Sequence, residues 1–244
     1  MIKLLEACNQ LQSFTDICGE KLQALAISYG LDKPFCTFWH QTDEAGKITA
    51  VICKFGSAVT VSMKEPNRKE LMDFLMFIGF DELICDGSLT DGISGFAKEA
   101  IYAVEKACTR GINNLPCLTF SEYSAIYKLL NDSSSAAIEI GDFESWYVDI
   151  SHRIRHGGAV AILWEQGCGI GLLSDDSVIV NGIAVEKAHR GKGCGKEILN
   201  CIENFGKTRS MAFCLQTELE FYKKCGYGIT GIYSLFRKGK IDNA

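Results

Sequence analysis

The sequence predicts an α+β fold arranged as two tandem domains. Short runs rich in β-branched residues predict strands, and segments with apolar residues every three or four positions predict helices. The pattern of helices and strands ends at the turn-forming run 111–116 and then starts again. We therefore expect one domain over residues 1–115 and another over 116–244.

The composition is that of a chain folded throughout its length. The 244 residues are 47% hydrophobic with only three prolines, and no tract is repetitive. The formal net charge is -5 and the basic residues are scattered, so no nucleic-acid partner is expected. No apolar run reaches the roughly 20 residues of a membrane span.

Twelve cysteines raise the question of disulfides or a metal site. They lie in apolar runs, no Cys-x-x-Cys pair occurs, and the polar sequence after Met1 does not resemble a signal peptide. We expect free buried thiols, no bound metal and a cytoplasmic location.

In the first half, a helix is expected at 4–25 and strands at 35–40, 48–55 and 58–62. Pro66 and Asn67 then open a helix at 70–77, which a strand at 81–85 and a helix at 96–109 follow.

In the second half, a short strand from Cys117 and helices near 121–130 and 143–154 precede three strands. These strands are predicted at 159–164, 169–173 and 178–185. The strand at 178–185 is apolar on both faces and is expected to lie in the centre of the sheet. The three strands are followed by a helix at 196–205, a strand at 211–215, a helix at 218–225 and a β region at 227–236.

The segment between strand 178–185 and the next helix reads Arg190-Gly-Lys-Gly-Cys-Gly-Lys196. Backbone N–H groups at a helix start, aided by the helix dipole, can surround a phosphate, and glycine lets the phosphate approach closely. The spacing excludes a Walker loop, which needs glycine at Arg190, and a dinucleotide fingerprint, which needs a third glycine at 196 or 198. We predict anion binding here.

This strand, loop and helix resemble motif A of the GNAT acetyltransferases, a strand followed by Arg/Gln-x-x-Gly-x-Gly/Ala and a helix. The resemblance implies a GNAT-like mixed, mostly antiparallel sheet flanked by helices, with the cofactor site in the C-terminal domain. It also implies acetyl-CoA as acyl donor, with its pyrophosphate on the loop. Gly182 would mark a bulge that lets the pantetheine arm bond to backbone groups, although such a glycine can also accommodate a bulky neighbour. The implied cofactor-binding residues are Ile183, Ala184, Val185, Arg190, Gly191, Lys192, Gly193, Cys194, Gly195 and Lys196.

Residues 216–227 resemble motif B of the same family, Phe-Tyr-x-x-x-Gly-Phe/Tyr on a short helix. Thr217 and Glu220 have the spacing of a capping box, and Gly226 is a helix-ending glycine. The resemblance implies that Tyr222 is the general acid for the departing thiolate. A core tyrosine packed beside Phe221 is the other interpretation.

The sequence does not identify a general base or an acceptor. Strand 178–185 has no carboxylate, and Ile179 stands where some family members have glutamate. A water, Glu144, or one of the loop acids Glu186, Asp175 and Asp176 remain options. By the resemblance, a small-molecule or peptide amine would meet the first two helices and the last hairpin, with the candidate contacts Trp146, Tyr147, His152 and Tyr233.

Residues 1–115 are expected to form a degenerate GNAT-like domain or an accessory α/β domain. Residues 63–68 have no glycine and contain Pro66, so this half is expected not to bind acetyl-CoA. Completing the acceptor cleft, covering a sheet edge and making a homodimer contact remain open roles. For the whole chain we predict an N-acetyltransferase that works by direct amine attack. A non-catalytic acyl-CoA-binding module and a protein that serves only assembly are the alternatives.

Overall fold

The computed structural model describes residues 1–89, 93–108, 117–133 and 141–239. Contacts group these residues into two compact units. Unit 1 contains the described residues within Met1–Ala103, Cys214–Thr217 and Ile229–Ala244, and unit 2 those within Val104–Phe213 and Glu218–Gly228. Each unit thus draws on separate parts of the sequence. The domain boundary expected in the run 111–116 lies outside the described residues.

Unit 1 is a sheet with a helix on each face. Its strands are β1 (Ile2–Leu4), β2 (Cys36–Thr42), β3 (Ile48–Phe55), β4 (Ala58–Met63), β5 (Glu82–Asp86), the first part of β6 (Phe96–Ala107) and most of β11 (Gly228–Lys238), and its helices are α1 (Ile17–Tyr29) and α2 (Arg68–Ile78). The strand order is β1-β2-β3-β4-β5-β11-β6. β4 and β5 are parallel, whereas β5 and β11 are antiparallel.

The two faces of unit 1 follow from the alternation of side chains along β3. Successive residues of a strand point to opposite faces of the sheet. Ile52 packs with Leu71 and Leu75 of α2, whereas Val51 packs with Leu22 of α1. Both apolar faces of the sheet are therefore covered by a helix.

Unit 2 is built on strands of mixed direction, of which β6 has already been given. Its remaining elements are α3 (Phe120–Ser133), α4 (Phe143–Arg155), β7 (Ala159–Trp164), β8 (Gly167–Leu173), β9 (Ser177–Val185), α5 (Cys194–Glu203), β10 (Arg209–Cys214) and α6 (Leu219–Lys224). The strand order is β6-β10-β9-β8-β7, with β9 and β10 parallel and the pairs β7–β8 and β8–β9 antiparallel. The Sγ of Cys168 donates to the carbonyl of Ile126 on α3, and Gly169 faces Ile202 on α5, so these helices cover opposite faces.

The predicted α+β class is confirmed. Both units also contain the same series of elements: two antiparallel strands, then a helix, then a strand that runs parallel to the second strand of the series. This series is β3, β4, α2 and β5 in unit 1 and β8, β9, α5 and β10 in unit 2. Among the described residues, no helix combines the length and hydropathy needed to cross a membrane.

Four local predictions were wrong. The expected helix 4–25 is β1, a 3₁₀ turn at Cys8–Leu11 and then α1, which Asp16 caps by accepting from the N–H of Gly19. Residues 96–107 form β6 rather than a helix, because pairing within a sheet outweighs the helix propensity of their Ala, Glu and Lys residues. No strand forms from Cys117, and α6 begins after Glu218, so no side chain caps it.

Candidate functional site

The loop before α5 and the first turn of α5 form an exposed cradle of backbone N–H groups. Gly191 and Gly193 have φ values of 78° and 95°, which residues with side chains rarely adopt. Gly193 is the N-cap of α5, and its carbonyl accepts the N–H of Lys196. In the described part of the chain, no protein acceptor receives the N–H groups of Cys194 and Gly195. Both groups can therefore donate to an anion.

Basic side chains surround this cradle. Arg190, Lys192 and Lys196 are exposed. Arg190 also stabilises the loop, because its Nε donates to the carbonyl oxygen of Val185 at 3.1 Å. That carbonyl is one of the backbone groups that the sequence resemblance assigned to pantetheine. Positive charge and unpaired N–H groups thus coincide, which suits a multiply charged anion such as a pyrophosphate.

The loop is fixed to its neighbours on two sides. A Cβ at Gly195 would lie 3.4 Å from Cε2 of Phe221 on α6 and 3.7 Å from Cγ2 of Val185, so α6 packs close to the start of α5. Cys194 is buried, and its Sγ donates to Oε1 of Gln166 at 3.2 Å. Cys194 therefore anchors the loop and is not an exposed nucleophile.

Three alternate glycines of β8, whose role the sequence reasoning missed, bring α5 close to the sheet. A Cβ at Gly169 would lie 2.5 Å from Cδ1 of Ile202, and one at Gly171 would lie 2.9 Å from Cγ2 of the same residue. Gly167 faces Ile198 in the same way, at 2.8 Å from its Cδ1. The period-two recurrence of glycine at 167, 169 and 171 was the available signal, since such residues share one face of a strand.

A bulge in β9 precedes the loop, as predicted at Gly182. Ile170 of β8 pairs with Gly182 and Gly171 pairs with Val180, which leaves Asn181 as the extra residue. The parallel ladder between β9 and β10 ends at the pair Val180–Ala212. Among the described residues, Ile183, Ala184 and Val185 pair with β8 alone. Their backbone groups on the other edge of β9 are therefore outside any ladder, where an extended ligand could bond to them.

Tyr222 lies in the middle of α6, in the same unit as the loop, and is 8% exposed. Its ring meets those of Phe221 and Tyr227 edge-on, with centroids 5.2 and 5.3 Å apart. α6 ends in a Schellman motif, in which the N–H of Tyr227 donates to the Tyr222 carbonyl and that of Gly226 to Lys223. The neighbouring rings and the end of α6 thus fix the position of the Tyr222 side chain. Its role as an acid stays a prediction.

Tyr227 anchors a buried polar network beside Tyr222. Its hydroxyl lies 2.6 Å from Oγ of Ser210 and donates to Oε1 of Glu203 at 3.1 Å. Lys106 donates to the other carboxylate oxygen of Glu203 at 2.8 Å. Burial raises the pKa of Tyr227 far above its usual value, and the charge of Glu203 acts in the same direction. The phenol therefore stays protonated and fixes the end of α6.

The acidic candidates for a general base all lie on the surface. Glu144, Asp175, Asp176 and Glu186 are exposed. Glu186 approaches Nδ1 of His189 at 3.2 Å. The general base stays unassigned.

The four acceptor-contact candidates are divided between the two units. Tyr233 lies in unit 1, where its hydroxyl donates to Oδ2 of Asp16 at 2.9 Å. The other three lie on α4, where the ring of His152 is 4.2 Å from that of His156. Trp146 and Tyr147 belong to an aromatic cluster between α3 and α4 whose further members are Phe120, Tyr123, Tyr127 and Phe143.

The helix of unit 1 that corresponds to α5 in the series of elements has no such cradle. At the start of α2, the N–H of Asn67 donates to Oε1 of Gln41 at 2.9 Å, and the Asn67 side chain accepts the N–H of Glu70. The carboxylate of Glu70 accepts from Nε2 of Gln41 at 2.9 Å. A negative charge at this helix start would repel a phosphate. Over the residues that the structure describes, no group of three or more His, Cys, Asp or Glu side chains could hold a metal ion.

Comparisons with known proteins bear on the same segment. Residues 146–229 match a family model described as an acetyltransferase (GNAT) domain. Two GCN5-related N-acetyltransferases are structurally similar to the chain. The first, from Sphaerobacter thermophilus, is 13% identical with a TM-score of 0.56, and the match covers 98% of this chain and 95% of that chain. The second, from Kribbella flavida, is 12% identical with a TM-score of 0.56 over 91% and 95%.

A tandem GNAT protein from the clavulanic acid biosynthesis pathway is also similar, with 12% identity and a TM-score of 0.51 over 99% of this chain and 100% of that chain. At these identities the structural matches establish the fold. A search of curated protein sequences finds no significant match.

Proposed function

We propose that this chain, whose residues 146–229 match the GNAT acetyltransferase family model, binds acetyl-CoA at the start of α5 and transfers the acetyl group to an amine. The observation that carries the proposal is the cradle itself. The unpaired N–H groups of Cys194 and Gly195 lie beside left-handed Gly193 and exposed basic side chains. A pyrophosphate would receive these N–H groups without breaking any bond within the protein.

The bulge supports binding of the rest of the donor. The backbone of Ile183–Val185 on the edge away from β8 is free of the β10 ladder, and amides of a pantetheine arm can bond to it. Arg190 already donates to the Val185 carbonyl, and the N–H of Glu186 donates to Gln166 on the β8 side. Because backbone groups of successive strand residues point to opposite edges, Ile183 offers the remaining position on the free edge, whereas Ala184 faces β8. The residues present therefore fit acyl-CoA in both its charged and its extended parts.

Acetyl transfer by direct attack requires no covalent enzyme intermediate. The amine nitrogen attacks the thioester carbonyl carbon, the C–N bond forms and the C–S bond breaks. Tyr222 supplies a hydrogen bond or a proton to the departing thiolate. The proton lost by the amine passes to water, because β9 carries no carboxylate.

A non-catalytic acyl-CoA-binding module is the second candidate. It is favoured by the 8% exposure of Tyr222, which is also what a packed core tyrosine would show.

A thermal-shift titration with acetyl-CoA tests binding. At 100 times its dissociation constant a ligand stabilises its protein by about 2.7 kcal/mol. Gly193→Leu should abolish the shift. Gly46→Leu is the matched control, because Gly46 also has a positive φ, of 81°, and no atom within 4 Å of its would-be Cβ. No shift for the unmodified protein would refute the cofactor site.

Mass spectrometry of an amine panel tests catalysis, since thiol dyes would also react with the protein's own cysteines. Tyr222→Phe should slow turnover at least about tenfold at unchanged acetyl-CoA affinity, while Tyr29→Phe, at a similarly buried tyrosine of unit 1, should leave turnover as it is. An unchanged rate in Tyr222→Phe removes that residue from the mechanism. Acetyl-CoA binding without acetylation of any amine would favour the binding module.

A further inference from the structure

Asn181 is an exposed polar residue in an otherwise buried stretch of β9. Val178, Ile179 and Val180 are at most 4% exposed, whereas Asn181 is exposed to solvent. It is the extra residue of the bulge before Gly182. Among the described residues, its carboxamide forms no hydrogen bond with the protein. Bulges often redirect a side chain next to a functional site, so the solvent-facing amide of Asn181 is available to bind a ligand there.

The position of Asn181 coincides with the end of strand pairing. The ladder between β9 and β10 stops at Val180–Ala212, one residue earlier. On α3, Cδ2 of Leu130 lies 3.3 Å from where a Cβ of Gly182 would be, so an apolar group closes that side of the bulge. Under the proposed function the pantetheine arm lies along the residues that follow. The reacting amine must then approach the bulge, where Asn181 is the polar group.

We infer that Asn181 binds the acceptor amine and orients it for attack. Its Oδ1 accepts a hydrogen bond from the amine N–H, which leaves the nitrogen lone pair directed at the thioester carbonyl carbon. A carboxamide does not take up a proton at neutral pH, so Asn181 orients the amine while water receives its proton. This inference rests on the proposed acetyl transfer.

The test uses the full chain, acetyl-CoA, and whichever of spermidine, L-lysine, an aminoglycoside or a tripeptide with a free amino terminus is acetylated fastest. Asn181→Ala should lower kcat/KM for that amine about tenfold, equivalent to about 1.4 kcal/mol, and leave the dissociation constant for acetyl-CoA unchanged. Asn200→Ala makes the same change on the exposed side of α5 and should alter neither value. Asn181→Asp places a negative charge beside the amine, which favours its protonated form, and should move the rise of kcat/KM to higher pH.

If Asn181→Ala leaves kcat/KM for that amine unchanged, the inference is overturned. It is also overturned if Asn181→Ala weakens acetyl-CoA binding as much as it slows turnover, because the residue would then act on the fold. Absence of acetylation by the unmodified protein would refute the proposed function, and with it this inference.

Discussion

Replacement of Tyr227 by Phe should destabilise unit 2, and the contacts of the lost hydroxyl give the expected change in the free energy of unfolding. The change removes the hydroxyl that donates to Oε1 of Glu203, a residue 8% exposed, and that contacts Ser210. Hydrogen bonds to charged groups contribute about 1.5–3 kcal/mol, and Lys106 still pairs with the carboxylate. We expect the free energy of unfolding to fall by about 2 kcal/mol, or roughly 4–8 °C in Tm.

Guanidinium denaturation followed by circular dichroism measures this loss. Tyr127→Phe is the matched control, because the Tyr127 hydroxyl donates to the Gly141 carbonyl at an exposed site and should cost less than about 1 kcal/mol. A loss no larger for Tyr227→Phe than for the control would refute the reasoning that the buried network stabilises the fold.

The same residue has a predictable pH dependence. Burial first, and then Glu203, raises the pKa of Tyr227, so the folded protein holds a phenol that the unfolded chain ionises above about pH 10. Its contribution to stability is therefore complete below that pH and is lost as pH rises further. Between about pH 9 and 11, Tyr227→Phe should lose less stability than the unmodified protein. Equal losses would contradict the assignment.

Three further predictions follow from packing and burial. Gly169→Val would force side-chain atoms against Ile202, so the free energy of unfolding should fall by about 1–3 kcal/mol and the acetyl-CoA thermal shift should shrink. Unchanged stability together with an unchanged thermal shift would show that α5 can move to make room. Among the twelve thiols, the exposed Cys8 and Cys117 should react first with a thiol reagent. Burial raises the pKa of Cys168 to about 12, so this thiol should react only when the protein unfolds. Peptide mapping of the labelled protein identifies which cysteines have reacted. Calorimetry should give one acetyl-CoA per chain, and a value of two would mean that unit 1 also binds.

The features that the sequence predicted best are those set by local chemistry. Gly182 marks a bulge, Gly226 ends α6 with φ of 91°, and Asn67 caps α2, because each conformation depends on the residue itself and its immediate neighbours. The cradle before α5 belongs to this group, since its positive φ values fall on glycines of the predicted loop.

The features that were missed depend on distant partners. The sequence of β6 is rich in Ala, Glu and Lys, and only its place within a sheet makes it a strand. The glycines of β8 can be interpreted only once α5 is known to cross that face. Asn181 shows no unusual spacing, and its exposure in a buried strand becomes visible only in three dimensions.

The antiparallel pairing of β5 with β11 also determines when unit 1 can be finished on the ribosome. β5 ends at Asp86 and β11 begins at Gly228, so almost all of unit 2 is translated between the two. During that time the nascent chain carries β5 with an unpaired edge, which is a template for wrong pairing with other chains. Closing so long a loop also makes folding slow. The last step of unit 1 must therefore follow synthesis of unit 2, and chaperone protection of the β5 edge would matter most in that interval.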